Sequence, residues 1–238
     1  MKTVIIGERY SSSLTSGLKK LGYRVLLMPD NPFISPYLAG HTDLSLLYDK
    51  KGETLFAAPY LKYSRFIENI SKFITNLYYL DIIQTEEYPN DVQMNVFLNE
   101  KYAILNSETI SKDIADYLTN SHGYKPVNVR QGYAKCCTLS AGEGIITSDP
   151  GIFTATSKYS IPSLKITKGF ISLPGFNYGF IGGSAITLDK NLIAFTGKLT
   201  NHPDRLIIEE FLSSYDIDTV YLTDDPVFDI GGGFLLED

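Results

Sequence analysis

The stretch Gly40-His41-Thr42-Asp43-Leu44-Ser45-Leu46-Leu47 is strand-like, and similar stretches recur four more times along the chain. The other copies span residues 92–98, 134–140, 182–188 and 231–236. Each copy comes a few residues after a proline, and successive copies start 42 to 52 residues apart, a spacing typical of a supersecondary unit that repeats along a chain.

The residues that follow the first copy indicate what one unit contains. A polar turn at 49–52 leads to a second apolar strand, Leu55-Phe56-Ala57, so the unit opens with a hairpin. Apolar residues then recur at the 3.6-residue period between Phe66 and Leu77, which predicts a helix. Residues 78–84 follow as a third strand. The pattern therefore predicts a ββαβ unit.

Helices in the other units are predicted from the same period. The matching stretches are 14–21, 110–118 and 206–212. Ser107 is suited to cap the second of these and Pro203 to start the third. Counted from the N-terminus, the fourth unit is the one that the copy at 134–140 opens. Between Thr154 and Leu164 it shows no convincing helical pattern.

The two ends of the chain together supply one unit. The chain starts with Val4-Ile5-Ile6, a helical stretch and a strand at 23–28, and it finishes on an opening strand, Phe234-Leu235-Leu236. Pairing of the C-terminal strand beside the N-terminal one would close a ring and remove exposed sheet edges. We therefore expect an α/β fold: one domain over residues 1–238, a five-bladed α/β-propeller with pseudo-fivefold symmetry. The alternative, favoured only by the strand–helix–strand start, is a doubly wound α/β domain.

Composition limits the classes of partner. The 238 residues are 44% hydrophobic and 20% charged, which is typical of a globular core. The formal net charge is −6 with no long charged block, so we expect neither nucleic acid nor anionic membrane as a partner. No apolar run approaches the ~20 residues needed to cross a bilayer, and the N-terminus lacks the apolar core of a signal peptide. We expect a cytoplasmic protein.

The pattern of cysteines, histidines and glycines favours neither a metal nor a cofactor. Cys136 and Cys137 are adjacent and are the only cysteines, which excludes a disulfide framework and a C-x-x-C knuckle. The histidines at 41, 122 and 202 are scattered singly, which disfavours zinc. Gly7 begins no G-x-G-x-x-G motif, and no Lys-Ser/Thr follows the glycines at 231–233. We expect no bound metal and no cofactor.

Five ββαβ units around one axis resemble the pentein fold, the α/β-propeller of guanidino-group-modifying enzymes such as arginine deiminase, agmatine deiminase, dimethylarginine dimethylaminohydrolase and the amidinotransferases. The ribosome anti-association factors share this fold. His41-Thr42-Asp43 resembles the H-x-D motif of these enzymes, in which the histidine is the general acid/base and the aspartate binds guanidinium. Gly182-Gly183 and Gly231-Gly232-Gly233 are similar to their glycine-rich openings.

The chain departs from this family at the cysteine. Most of these enzymes carry a nucleophilic cysteine after a glycine-rich stretch near the C-terminus, where this chain has Phe234-Leu235-Leu236. The family also places its cysteine two blades after its histidine, and Cys136-Cys137 open the third copy, two blades after His41. The two arrangements are equivalent around a closed ring if the blade order is rotated.

The resemblance implies a cysteine-dependent hydrolase or amidinotransferase that acts on an amidine or guanidine. Cys136 or Cys137 would be the nucleophile and His41 the acid/base. Asp43 and Asp229 would anchor the cation. Three further side chains have supporting roles: Asn95 would hydrogen-bond the ligand, Lys135 would lower the thiol pKa, and Arg130 would bind a carboxylate.

Ordinary structural roles stand beside these functional ones. Free cysteines are usually buried for packing, and they are small enough for the crowded centre of a propeller. His41 can cap a turn after Gly40, and Asn95 can satisfy backbone groups. The alternative function is therefore a non-catalytic pentein scaffold that binds a small molecule or a protein partner.

Overall fold

The computed structural model describes residues 2–236, and within them the strands form five three-stranded sheets. In each sheet the first two strands of the unit pair antiparallel and the third pairs parallel to the second. A helix connects the second strand to the third in every unit. This is the predicted ββαβ blade. The expected domain boundaries, residues 1 and 238, lie outside the described residues.

The blades are numbered here in chain order. Blade 1 has strands β3 (Leu46–Asp49), β4 (Thr54–Ala57) and β5 (Asn76–Tyr79) with helix α2 (Arg65–Ile70). Blade 2 has β6 (Phe97–Leu98), β7 (Tyr102–Leu105) and β8 (Lys125–Asn128) with α3 (Lys112–Asp116). Blade 3 has β9 (Thr138–Ala141), β10 (Gly144–Thr147) and β11 (Ser163–Lys165) with α4 (Pro150–Ser157). Blade 4 has β12 (Ala185–Asp189), β13 (Leu192–Phe195) and β14 (Asp218–Tyr221) with α5 (Arg205–Ser213).

Blade 5 joins the two ends of the chain, as the sequence predicts. It contains β15 (Phe234–Leu236), β1 (Thr3–Gly7) and β2 (Arg24–Met28) with helix α1 (Ser11–Lys20). β15 pairs antiparallel with β1, with Leu236 opposite Thr3 and Phe234 opposite Ile5. The ring is therefore closed, and the alternative of an open, doubly wound sheet is excluded.

The hydrophobic core lies between the blades. Alternate residues of a strand point to opposite faces of its sheet, and in β1 both faces are covered. Ile5 packs with Leu46 and Leu55 of blade 1, whereas Ile6 packs with Ile186 of blade 4. Similar clusters join blades 1 and 2, 2 and 3, and 3 and 4. Each blade is thus held by its two neighbours around the ring.

Several helices differ from the sequence prediction at their ends. The helix predicted over 66–77 ends at Ile70, and Leu77 lies in β5. The apolar residues after Ile70 pack on the cluster between blades 5 and 1 without being helical. The helix of blade 2 starts after Ser111 and not after Ser107, and it continues as a π-helix over Tyr117–Ser121. Helix α5 starts after Asp204, so Pro203 lies just before it.

Helix α4 of blade 3 was not predicted. Asp149 accepts a hydrogen bond from the backbone N–H of Ile152 at 2.8 Å, and Pro150 occupies the first helical position. Both are standard signals of a helix start, but they lie before Thr154, where the sequence prediction for this unit begins. The missed signal was the Asp-Pro pair.

The five recurring segments also differ from the prediction in one useful respect. Only their second halves are strands, since β3 starts at Leu46, β9 at Thr138 and β15 at Phe234. The first halves are turns, including a 3₁₀ turn over Thr42–Leu44. The polar residues of the segments therefore lie in turns that precede the strands. Within the described residues, no helix combines the length and the apolar character needed to cross a bilayer.

Candidate active site

The first strands of all five blades surround the ring axis. They line one cavity of about 330 Å³, which includes residues from β3, β6, β9, β12 and β15. Because each candidate residue lies in the turn before one of these strands, the fold brings them together. His41, Asp43, Asn95, Cys136 and Asp229 come from four different blade openings, and each is only 1% exposed.

Cys136 and Asp43 are in direct contact. The Sγ atom of Cys136 donates a hydrogen bond to Oδ2 of Asp43 at 2.8 Å, across the space between blades 1 and 3. A ring nitrogen of His41 completes the group, because the ligating atoms of His41, Asp43 and Cys136 all lie within 4.8 Å of one another. A histidine, a carboxylate and a thiol from two blade openings therefore meet at one point.

The ring of His41 is unusual because it has no hydrogen-bond partner in the described part of the chain. Neither Nδ1 nor Nε2 has one within residues 2–236, although both atoms are buried. Oδ1 of Asp43 is likewise buried without a partner in that part of the chain. Buried polar groups are normally satisfied, so an exception needs an explanation. Both groups are available to a ligand or to water.

The side chain of Asn95 connects the turn that carries Cys136 with the turn that carries Asp43. Its Oδ1 accepts hydrogen bonds from the backbone N–H of Lys135 at 2.7 Å and of Cys136 at 3.3 Å. Its Nδ2 donates to the backbone oxygen of Asp43 at 3.3 Å and lies 3.4 Å from Sγ of Cys136. Asn95 thus fixes the turn that carries the thiol to the turn that carries the carboxylate.

Asp229 is held by backbone groups. Its Oδ2 accepts from the N–H of Phe180 and its Oδ1 from the N–H of Gly231, both at 2.8 Å. The glycines of the neighbouring opening make room for it, since a Cβ on Gly183 would lie 1.9 Å from Oδ1 of Asp229. Among residues 2–236, the carboxylate is therefore positioned by backbone N–H groups and not by a hydrogen bond from a cationic side chain.

Gly231 serves the opposite side of the site. Its φ is +70°, in the left-handed region that favours glycine. A Cβ at this position would lie 2.4 Å from Cβ of His41 and 2.7 Å from Oδ1 of Asp43. The glycine-rich openings of blades 4 and 5 thus provide the space in which the polar side chains of blades 1, 3 and 5 approach one another.

The site is reached through a cavity of about 230 Å³. His41, Cys136 and Asp229 form its polar part. Its other lining residues are Leu38, Tyr133, Leu173, Phe176, Asn177, Tyr178 and Phe180. Asp43 and Lys135 line the larger cavity on the axis instead. The contact between Cys136 and Asp43 therefore lies between the two cavities.

Burial and negative charge dominate the electrostatics. Burial raises the pKa of the Cys136 thiol well above its ordinary value, and the carboxylates of Asp43 and Asp229 raise it further, while Lys135 acts in the opposite direction. Burial also raises the pKa of Asp43, and Lys135 and His41 partly offset it. Without a ligand, the thiol is therefore protonated near neutral pH.

The sixth candidate, Cys137, lies elsewhere. It is fully buried and packs with Phe97, Ile104 and Ile145 between blades 2 and 3. Arg130 is exposed and does not line the cavity of about 230 Å³. Nζ of Lys135 donates to the backbone oxygen of Gly182 at 3.1 Å. The geometry thus distinguishes the two adjacent cysteines, which the sequence could not.

Sequence reasoning missed the aromatic part of the cavity. Phe176, Tyr178 and Phe180 lie in the long connection between β11 and β12, and Tyr133 lies just before the cysteines. The signal was present as a cluster of aromatic residues over 170–180. It carried no strand or helix period, so nothing assigned it to the site.

His41, Asp43 and Cys136 also form the one group of metal-ligating side chains found in the described part of the chain. A His, Asp and Cys set suits a borderline cation such as zinc. The thiol hydrogen is, however, already donated to Asp43. A metal would have to displace that proton before it could bind here.

Solved structures with similar folds were found over nearly the whole chain. An amidinotransferase of the saxitoxin biosynthetic pathway from Microseira wollei matches with 10% identity and a TM-score of 0.53, over 96% of this chain and 93% of that one. An adduct of a dimethylarginine dimethylaminohydrolase variant with S-methyl-L-thiocitrulline matches with 9% identity and a TM-score of 0.54, over 93% and 92%. The inosamine-phosphate amidinotransferase of Streptomyces griseus matches with 12% identity and a TM-score of 0.52, over 98% and 92%.

These three proteins have the pentein fold, and the similarity extends it to this chain, as the sequence predicted. At such low identity the similarity establishes the fold alone. No curated protein sequence matches the chain. Residues 5–234 match the profile of one family, whose description is "Family of unknown function (DUF6873)".

Proposed function

The chain belongs to the family of unknown function DUF6873, and we infer its activity from the residues of its own site. We propose that it is a cysteine-dependent hydrolase or amidinotransferase that acts on a small guanidine or amidine. Cys136 is the nucleophile, His41 the acid/base, and Asp43 and Asp229 anchor the cation. Asn95 holds the thiol in place. We propose further that the protein works in the cytoplasm as one domain over residues 1–238.

One observation carries this proposal: a thiol, an imidazole without a hydrogen-bond partner among the described residues, and a carboxylate lie within 4.8 Å of one another beside a cavity. Attack on a guanidine carbon needs these three groups. A nucleophile and its base are expected within or near hydrogen-bond reach, and this distance is often longer in the absence of substrate.

The raised pKa of the thiol is consistent with a cationic substrate. The negative charges of Asp43 and Asp229 favour the protonated form of the Cys136 thiol and so raise its pKa. A bound guanidinium would partly neutralise both carboxylates and would itself favour the thiolate. The thiol would then ionise chiefly when the correct cation is present, which protects it from other electrophiles.

The proposed reaction has two halves. His41 accepts the thiol proton, and the thiolate forms a C–S bond to the central carbon of the substrate. The bond from this carbon to the leaving amine breaks, and His41 donates its proton to that nitrogen. His41 then accepts a proton from water or from an acceptor amine, which attacks the same carbon. The C–S bond breaks, and the proton returns to the sulfur.

A second candidate, the non-catalytic scaffold, is favoured by the protonated thiol and its hydrogen bond to Asp43. In that case the same cavity would bind a small molecule without covalent chemistry. A scaffold that binds zinc through His41, Asp43 and Cys136 would be one form of this candidate. Measurement of the metal content of the purified protein tests it.

Selective alkylation distinguishes the two candidates. The native protein is treated with 2-chloroacetamidine, which carries the amidinium charge, or with iodoacetamide, which is neutral, and the modified cysteine is located by peptide mapping. We expect the amidine to modify Cys136 faster and His41→Ala to slow this reaction. Cys137→Ala is the matched control and should leave it unchanged. A Cys136 thiol that reacts only after denaturation would overturn the catalytic proposal.

A further inference from the structure

The cavity beside Cys136 has two chemically different ends. The inner end carries His41, Cys136 and Asp229, and the outer end is made almost entirely of apolar and aromatic side chains. The guanidinium group of a substrate would occupy the inner end under the function proposed above. The outer end must then accommodate whatever the guanidinium group is attached to.

Three aromatic rings of the outer end, those of Tyr133, Phe180 and Tyr178, form a connected wall. The ring centroids of Tyr133 and Phe180 are 6.1 Å apart with an interplanar angle of 32°. Those of Tyr178 and Phe180 are also 6.1 Å apart, but with the rings at 88°. Phe176 makes an edge contact with Tyr37 at 6.4 Å. Such surfaces favour flat apolar groups and delocalised cations.

Among the described residues, no lysine or arginine lines this cavity. Arg9 passes close to Gly40, but its guanidinium is bound to Asp30 through hydrogen bonds of 3.0, 3.1 and 2.5 Å. Lys135 lines the other cavity and donates to a backbone oxygen.

A carboxylate on the substrate would therefore be poorly tolerated. It would enter an apolar wall in which no lysine or arginine of the described residues opposes its charge. Loss of hydration without a compensating partner selects against such a ligand. The exposed amide of Asn177 is the one side chain of the outer wall, within the described residues, that is neither hydrophobic nor aromatic.

From this arrangement we infer that the ligand is a guanidine or amidine whose remaining part is apolar or aromatic and carries no carboxylate. Free arginine and other guanidino acids are excluded as preferred ligands. This inference rests on the proposed function, since it assumes that the cation occupies the inner end of the cavity.

The test uses three guanidines that differ only in the attached group: butylguanidine, phenylguanidine and 4-guanidinobutyrate. Binding is measured calorimetrically on Cys136→Ala, in which no covalent step can occur, and by protection of the wild-type thiol from 2-chloroacetamidine. We expect butylguanidine and phenylguanidine to bind at least about tenfold more tightly than 4-guanidinobutyrate. A tenfold difference in Kd corresponds to about 1.4 kcal/mol.

A matched pair of variants tests the aromatic wall. Phe176 and Phe170 lie in the same connection and are 47% and 44% exposed, but only Phe176 lines the cavity. Phe176→Ala should weaken phenylguanidine binding several-fold, and Phe170→Ala should leave it unchanged. Equal effects of the two variants would overturn the role of the wall.

The outcomes also separate this inference from the proposed function. If 4-guanidinobutyrate binds as tightly as butylguanidine and protects Cys136, the inference is wrong and the proposed function stands. If no guanidine binds or protects the thiol, both are wrong.

Discussion

The thiol of Cys136 donates a hydrogen bond of 2.8 Å to the carboxylate of Asp43, and both residues are buried. A carboxylate that accepts the thiol proton stabilises the protonated form and so raises the thiol pKa. This pair therefore favours the protonated thiol, and under the proposed function a bound cation would be needed to ionise it.

Replacement of Asp43 should make the resting thiol more acidic. Asp43→Asn removes a negative charge next to Sγ but keeps a side-chain oxygen that can accept the hydrogen bond. We expect the rate of iodoacetamide modification of Cys136 to rise at a lower pH than in the wild type. Rates measured between about pH 6 and 10, either side of the ~8.5 of a free thiol, give the two profiles. Coincident profiles would contradict the electrostatic role of Asp43.

The same substitution should stabilise the fold at neutral pH. Burial raises the pKa of Asp43, so ionisation favours the unfolded state as the pH rises above the ordinary value of 3.8. Asp43→Asn removes this cost, and a gain of about 1 kcal/mol raises Tm by about 2–4 °C in a chain of this size. The gain should shrink as the pH falls and should vanish below the ordinary value of 3.8, where Asp43 is protonated in both states. A melting temperature lower than that of the wild type at pH 7 would contradict this expectation.

Gly183 should be intolerant of a side chain. A Cβ there would lie 1.9 Å from Oδ1 of Asp229, so the carboxylate must move. We expect Gly183→Ala to weaken phenylguanidine binding by at least about tenfold and to cost about 1–3 kcal/mol of stability, as overpacking usually does.

Gly151→Ala is the matched control for Gly183→Ala. It lies in helix α4, where the nearest atom to an added Cβ is Oδ1 of Asp149 at 3.0 Å. It should leave phenylguanidine affinity unchanged. Unchanged affinity in Gly183→Ala as well would show that Asp229 does not contact the ligand.

The fold could be predicted because its evidence is repeated. Five openings at a regular spacing and a strand at each end of the chain define the ring, and the observed pairing of Leu236 with Thr3 agrees. Helix boundaries were less predictable, because apolar residues such as Leu77 serve a strand as well as they would serve a helix. Local patterns do not reveal which neighbour buries a residue.

The site could be predicted only in part. The recurrence of the openings placed His41, Asn95 and Cys136 at comparable positions, and a closed ring brings such positions together. It could not distinguish Cys136 from Cys137, because the two cysteines are adjacent in the turn before β9, and the backbone of that turn decides which of them faces the site. The aromatic wall was missed because its connection has no periodic pattern. The single domain, the location and the roles of these residues stay predictions.

Closure of the ring should contribute strongly to stability. Leu236 is fully buried in the cluster that joins blades 5 and 1. Leu236→Ala should lower the free energy of unfolding by about 2–5 kcal/mol, the usual range for a buried leucine. Leu206 is 70% exposed on helix α5, and Leu206→Ala should change it by no more than about 0.5 kcal/mol. Urea denaturation measures both, and similar small effects would mean that the β15–β1 junction contributes little.

The amide of Asn95 should be needed as an amide. Its oxygen accepts from two backbone N–H groups, and its nitrogen donates to the backbone of Asp43 and lies 3.4 Å from Sγ of Cys136. Asn95→Asp keeps the acceptor, loses the donor and adds a buried negative charge beside the thiol. The thiol pKa should therefore rise further, and the modification of Cys136 by iodoacetamide should require a higher pH.

The melting temperature of Asn95→Asp and a control substitution at a second asparagine complete the test of Asn95. A buried group left unsatisfied costs about 1–3 kcal/mol, and more if it is charged, so Asn95→Asp should also lower Tm. Asn99 accepts from the backbone N–H groups of Lys101 and Tyr102 in a turn, and an aspartate there retains both bonds, so Asn99→Asp should change neither Tm nor thiol reactivity. A lower Tm with an unchanged pH profile for Cys136 would reduce Asn95 to a structural role, because a positioning residue must move the reactivity of the group it positions.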